Sequence, residues 1–324
     1  MRKITDMYWR HYMANYKKIA TFSFGPTSVM GRPAEISMVD AVWNHLRYHL
    51  DRAMLDAPDL IVLPEVADRP ADLTLEEKLS FYEERGDYIL KTLSNYARTH
   101  SVFIMYNAVI RDEDGEYRNR STLIDRTGTP IYHYDKTFPV IFEMTDYKVK
   151  PGTGARVVDC ELGRVGAAIC FDMNFEELRQ EYTRLKPNLM LFSSNYHGGI
   201  ARNFFAYATR SYLVASIGAG GPGEIINPLG IAVATTSSYD VLTVSTINLD
   251  YAICHLDENR GAKFNALKKK YGPKVKIDIP SYLGPALITS ECEEKTAMDF
   301  VREFDLELLD DYLERSRTVR QAYL

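Results

Sequence analysis

Long apolar runs are missing from this 324-residue chain. No segment approaches the roughly 18 consecutive apolar residues of a membrane helix, and the N-terminus MRKITDMYWRHYM is too charged to form a signal peptide's apolar centre. Cysteine is scarce. The four, at 160, 170, 254 and 292, lie far apart with no C-x-x-C pair, which excludes both a zinc knuckle and a disulfide framework and makes a reducing cytoplasm the expected location. Blocks of like charge are equally sparse. With a net charge of -5 and no basic run beyond Lys268-Lys269-Lys270, a nucleic-acid surface, which needs a basic stripe, is not expected. His45 and His49 stand four apart on a helical stretch, a spacing that suits a metal, but no acidic third ligand lies nearby, so they read as structural or surface histidines. No metal and no cofactor is expected.

What the chain does contain is the balance of a soluble globular protein able to bury a full core: 46% hydrophobic and 26% charged residues. After a mixed polar and aromatic stretch over 1–16, expected as an extra helix or arm, the run KKIATFSFG (17–25) reads as the first strand. Met38, Val42, Leu46, Leu50 and Met54 form one stripe of an amphipathic helix within 34–56. Residues 75–99 read as a second helical region with Leu79, Tyr82, Ile89, Leu93 and Tyr96 inward. Strands follow at 102–109 and, after the Asp114-Gly115 and Thr127-Gly128 turns, up to Lys136. Beyond that, a helix at 174–185, a strand at 189–193, a helix at 203–210 and a strand at 212–217 complete an α/β order without internal repeats. The tail from 255 carries a final apolar stripe (Phe300, Leu306, Leu309, Tyr312, Leu313) that needs a covering surface, and a neighbouring subunit is the expected one.

Three stretches carry the chemistry. In GRVGAAICFDMNFEEL (163–178) a small-apolar strand stops at Cys170, and an acidic, helix-starting segment follows; a cysteine so placed can project into a cleft beside backbone N–H groups that could hold an oxyanion. Alone, such a cysteine would read as a small buried hydrophobe. Two other strands also end in charge: LIVLPEVAD (60–68) in Glu65, and YHYDKTFPVIFEM (132–144) in Lys136, with Glu143 seven residues on. With Glu65, Lys136 and Cys170 in that order, the chain resembles the nitrilase superfamily of carbon–nitrogen hydrolases over roughly residues 18–260. The segments SSNYHGG (193–199) and INPLG (226–230) resemble that family's post-nucleophile loop and its hairpin.

The resemblance implies a four-layer αββα sandwich with an N-terminal arm (1–17), a hydrolase domain (18–260) and an interface-forming C-terminal extension (261–324), assembled as a homodimer or larger homo-oligomer. It implies Cys170 as nucleophile, Glu65 as its base, Lys136 and the Phe171 N–H as oxyanion donors, and Glu143 as positioning the lysine or the substrate. Asn195, Tyr196 and His197 follow a strand that should end at the same rim and are candidate substrate-binding residues. Asp172 is expected to cap the following helix. The chain departs from the commoner family pattern at Phe138, where a histidine often stands, at Phe22-Ser23-Phe24, where glutamine is usual, and at YATRSY (207–212).

Amide hydrolysis needs a nucleophile stronger than water, a proton shuttle and oxyanion donors. The expected activity is therefore cleavage of a small linear amide or N-carbamoyl compound through an acyl-enzyme on Cys170. The alternative within the class is nitrile hydrolysis, against which C-F-D-M after the strand resembles the amidase rather than the nitrilase pattern. A non-catalytic binding member would be expected to lack one of the three residues. A redox thiol protein would want a resolving cysteine closer than Cys160.

Overall fold

The computed structural model describes residues 14–218, 221–256 and 261–324. They divide into two compact units, a larger one of residues 18–246 and a smaller one formed by 14–17 together with 247–324. Residues 1–13 of the expected arm lie outside the described residues.

The larger unit opens with β1 (Tyr16–Phe22), followed by α1 (Met38–Met54). Ser37 starts α1 by accepting the N–H of Asp40, and Val39, Val42, Leu46, Leu50 and Ala53 form its buried stripe. His49 belongs to that stripe and stacks on Phe24 at 3.9 Å between ring centroids, so it packs as an aromatic. Among the described residues no group of three or more His, Cys, Asp or Glu could hold a metal ion. After β2 (Leu60–Val62) the helical region expected over 75–99 consists of two helices, α2 (Leu75–Arg85) and α3 (Tyr88–His100). The break is at Gly86, whose φ of 47° ends α2 in a conformation that costs glycine little and a β-carbon much. Next come β3 (Phe103–Arg111), β4 (Tyr117–Ile124) and β5 (Pro130–Asp135), antiparallel neighbours joined at the two Gly-containing turns.

The chain then forms the short α4 (Ile141–Thr145), β6 (Val157–Cys160) and β7 (Gly163–Ile169), a tight turn over 170–174, and α5 (Glu176–Leu185). It continues through β8 (Leu189–Ser194), α6 (Ile200–Thr209), β9 (Tyr212–Ile217), β10 (Glu224–Ile226), β11 (Ala232–Thr235) and β12 (Leu242–Asn248). Every residue of β8 and β9 is buried. That is why these strands read as continuous apolar runs rather than alternating ones: parallel strands covered on both faces leave no solvent side.

Two six-stranded sheets result, ordered β12-β1-β2-β3-β4-β5 and β11-β10-β9-β8-β7-β6. Their inner faces meet: Thr21 donates to the carbonyl of Ala215 at 2.9 Å and Ser193 to that of Leu63 at 2.8 Å. Helices α1 to α3 share one apolar core with the first sheet. On the second sheet Tyr182 of α5 donates to the carbonyl of Ala167 in β7 at 2.5 Å and meets the Phe205 ring of α6 at a tilt of 59°. The expected αββα sandwich is the observed architecture.

The smaller unit contains β13 (Tyr251–His255), α7 (Ala262–Tyr271), β14 (Val275–Asp278), β15 (Pro285–Ser290), α8 (Ala297–Glu303) and α9 (Leu309–Gln321). Its antiparallel sheet runs β13-β15-β14. Phe300 and Leu306 join Cys254, Leu267, Val275, Ile288 and Ala297 in the unit's own core, Leu309 is buried as well, and Tyr312 stacks on His255. Most of the apolar stripe that the sequence left without a cover is thus covered within its own unit.

Candidate active site

The carboxyl ends of β2, β5, β7 and β8 deliver Glu65, Lys136, Cys170 and Asn195 to one place, where open α/β sheets commonly hold their ligands. Glu65 and Lys136 are almost inaccessible, at 4% and 2% exposure. The Lys136 ammonium donates to Glu65 Oε1 at 3.0 Å and to Glu143 Oε2 at 2.7 Å. A lysine buried to this degree is tolerable only when paired, and here two carboxylates flank it. Its backbone is pinned as well, its N–H to the Asn119 carbonyl and its carbonyl to the Gly152 N–H, both at 2.8 Å. A β-carbon on Gly152 would lie 2.1 Å from the Asp135 carbonyl oxygen, so only glycine lets the chain cross this strand end.

Glu65 accepts three hydrogen bonds: from Lys136, from the Asn119 side chain at 2.8 Å, and from the backbone N–H of Asn195 at 3.0 Å. Burial favours its neutral form, yet the Lys136 charge and the hydrogen bonds from Lys136, Asn119 and Cys170 outweigh it and hold the carboxyl below its ordinary value. For Lys136 the same contest, burial against Glu65 and Glu143, ends with the ammonium form strengthened. The Cys170 thiol is pushed up to about 12, first by burial and then by the Glu65 charge, while Lys136, Ser194 and the Asn195 N–H pull the other way. At rest the proton therefore sits on sulfur, beside the Glu65 carboxylate whose charge helps keep it there.

Two non-glycine residues here adopt left-handed backbone. Cys170 has φ 48° and Val66, next to Glu65, has φ 44°, which for a β-branched residue is uncommon and must be imposed by its surroundings. Val66 is held by its N–H donating to Asn107 Oδ1 at 2.7 Å. Asn107 in turn donates to Asn119 Oδ1 at 3.0 Å and to Ser121 at 3.1 Å. Asn119 then bridges the two carboxylates, its side-chain nitrogen reaching Glu143 Oε1 at 3.0 Å as well as Glu65.

Glu143 lies on α4, a short helix, rather than at the strand-to-loop junction expected from sequence; its Oε2 also accepts the Val140 N–H at 2.8 Å. Phe171 follows the thiol directly, and its ring meets Phe175, which stacks on Phe138 at 3.8 Å. Tyr196 accepts a hydrogen bond from Asn174 at 3.1 Å, and burial raises its hydroxyl above the ordinary value. His197 is engaged elsewhere: Arg202 Nη2 lies 2.5 Å from its Nε2 and 2.6 Å from Glu224 Oε2. Asp172 does not cap α5; its carboxylate binds back to the Ile169 N–H.

Sequence reasoning missed Asn107, Asn119 and Ser194. A signal existed for Asn119 and Ser121, polar residues at alternate positions of a strand whose next residue on the same face, Leu123, is apolar and buried. Such a polar pair on an inward face demands partners.

Two sheets packed face to face thus bring an acid, a lysine and a cysteine together at their strand ends. The carbon-nitrogen hydrolase family model matches residues 31–253, and the chain belongs to that family. Nitrilase homolog 2 of Dictyostelium discoideum is 24% identical over 265 residues, 74% of this chain and 78% of that protein. Omega-amidase NIT2 of Danio rerio is 22% identical over 220 residues, 59% of this chain and 77% of that protein. Among solved structures, Nit3 of Saccharomyces cerevisiae, a member of branch 10 of the nitrilase superfamily, has a TM-score of 0.61 at 19% identity and covers 72% of this chain and 90% of its own.

Proposed function

We propose that this protein is a thiol-dependent amidase that cleaves a small linear amide or N-carbamoyl compound through an acyl-enzyme on Cys170. The observation that carries the reading is Lys136 held at 3.0 and 2.7 Å from Glu65 and Glu143, with the Cys170 thiol near enough for the Glu65 charge to push it up. The kinship with an omega-amidase supports the amide rather than the nitrile as substrate.

In the proposed reaction Glu65 takes the thiol proton as sulfur attacks the carbonyl carbon. The tetrahedral oxyanion is met by the Lys136 ammonium and the Phe171 N–H. Glu65 returns the proton to the departing nitrogen as the C–N bond breaks, leaving a thioester. Water, deprotonated by Glu65, then attacks that thioester; the C–S bond breaks, the acid departs and the proton ends on sulfur. Glu143 and Asn119 keep Lys136 and Glu65 in register. Phe171, Asn195 and Tyr196 would line the substrate side, while the contacts of His197 with Arg202 favour a loop-holding role.

The test is intact-mass analysis after incubation with a panel of amides, carbamoyl amino acids and nitriles, using Glu143→Gln to slow deacylation. A substrate-dependent mass gain that maps to Cys170 is expected. Turnover by a Cys170→Ala variant would dispose of the reading.

A further inference from the structure

Asp172 is fully buried two residues after Cys170. Its Oδ2 accepts the Ile169 N–H at 2.9 Å and the Tyr134 hydroxyl at 2.8 Å, and its Oδ1 accepts the Phe138 N–H at 2.8 Å. Ile169 ends β7 and immediately precedes the thiol, whereas Tyr134 and Phe138 stand two residues before and two after Lys136. One carboxylate therefore joins the strand end that carries the sulfur to the strand end that carries the ammonium, and these belong to different sheets. Cys170, between Ile169 and Asp172, is the residue kept in left-handed backbone, a conformation that persists only where the surroundings over-determine it.

We propose that Asp172 is a positioning residue: its carboxylate form holds the Cys170 turn against the Lys136 strand end and so aligns the thiol with Glu65 and Lys136. The proposal rests on the reading of Cys170 as the nucleophile. A proton on Oδ2 would be tolerated by Tyr134, whose hydroxyl can turn its hydrogen toward Thr137 Oγ1, 2.9 Å away, and accept instead. The Ile169 N–H has no such freedom and would lose its acceptor, releasing the turn at its first residue.

The balance is poised for this. Burial pushes Asp172 up to about 6, against the Ile169 and Phe138 N–H groups, Tyr134 and the Lys136 charge. The titratable groups around it are Tyr134 from β5, Lys136 beyond it, Tyr182 from α5, Tyr196 from the loop after β8, and Cys170 in its own turn. All five are raised above their ordinary values and stay protonated through neutrality. Asp172 alone of this group changes charge between roughly pH 5 and 7.

The test is alkylation of Cys170 by iodoacetamide in the full chain, followed by peptide mass across about pH 5 to 8. It needs no substrate, so it is independent of the hydrolase reading, which turnover by Cys170→Ala would sink without touching this readout. Below its own pKa a thiol alkylates about tenfold faster per pH unit. In the wild-type protein the slope of log rate against pH is expected to steepen toward two below about pH 6. In Asp172→Asn it should be one throughout, with a rate at neutral pH lower by about tenfold, the worth of one hydrogen bond. Tyr134→Phe, which removes one donor to the carboxylate and leaves the backbone donors in place, should move the break to higher pH. A break that persists in Asp172→Asn, a wild-type rate in that variant, or an unmoved break in Tyr134→Phe would each overturn the proposal.

Discussion

The side-chain nitrogen of Asn119 lies 2.8 Å from Glu65 Oε1. This hydrogen bond is one of those that keep Glu65 ionised despite complete burial, and a carboxylate is the form that can accept a proton from a thiol.

Replacing Asn119 by Ala should raise the Glu65 pKa, since it removes a donor to the charged form, and shift the acid limb of the rate profile to higher pH. A hydrogen bond to a charged group is worth about 1.5–3 kcal/mol, so a loss of roughly ten- to a hundredfold in kcat/KM is expected. An acid limb in the same place as wild type would count against Asn119 as the residue that tunes Glu65.

Cys170→Ala should leave the fold intact and lower turnover by at least about 10³. Cys170→Ser should behave alike, because a serine hydroxyl in this site lacks a base matched to its higher pKa. Circular dichroism and steady-state rates on the two variants check this together. More than a few per cent of wild-type activity in either would remove Cys170 from the nucleophile role.

The pH dependence of stability contains two opposed contributions. Glu65 is depressed in the folded protein, so its stabilisation is complete above its unfolded value of 4.5 and is lost as pH falls through the lower folded value. Asp172 is raised from 3.8 to about 6, so its contribution is present below 3.8 and lost as pH rises through about 6, amounting to about 3 kcal/mol across that window. Relative to wild type, Asp172→Asn should therefore lose stability between pH 7 and pH 4 in denaturant titrations. Parallel stability curves for the two proteins would show that Asp172 does not titrate in this interval.

Phe300→Ala should cost about 3–5 kcal/mol, the usual penalty for emptying a buried aromatic site, because its ring lies fully buried in the core of the smaller unit. Unfolding followed by proteolysis within 247–324 reads this directly. A shift in sedimentation with unchanged stability would instead mean that this side chain serves an interface between subunits.

The strand-end positions of Glu65, Lys136 and Cys170, and the α/β order of elements, were legible from local pattern; the four-layer αββα arrangement came from the resemblance to the nitrilase superfamily. Apolar runs that stop at a charged or nucleophilic residue are a one-dimensional signal, and so are the helical stripe of α1 and the glycine turns between β3, β4 and β5. Local pattern also misled where burial depended on a distant segment. The stripe of Phe300, Leu306 and Leu309 was visible, but only the packing of α8 against β13 and β15 decided that its cover lies in its own unit. Glu143 was placed by number and not by element, since a five-residue helix has too few turns to show a period. The two asparagines behind Glu65 and the clamp made by Asp172 belong to tertiary structure altogether. Their partners lie 12, 34 and 54 positions away, from Asn107 to Asn119, Phe138 to Asp172 and Glu65 to Asn119, and a side-chain hydrogen bond between different strands leaves no spacing in the sequence. What the amino-acid order determined was which residues stand at the ends of strands; which of them share protons was decided only when the two sheets closed face to face.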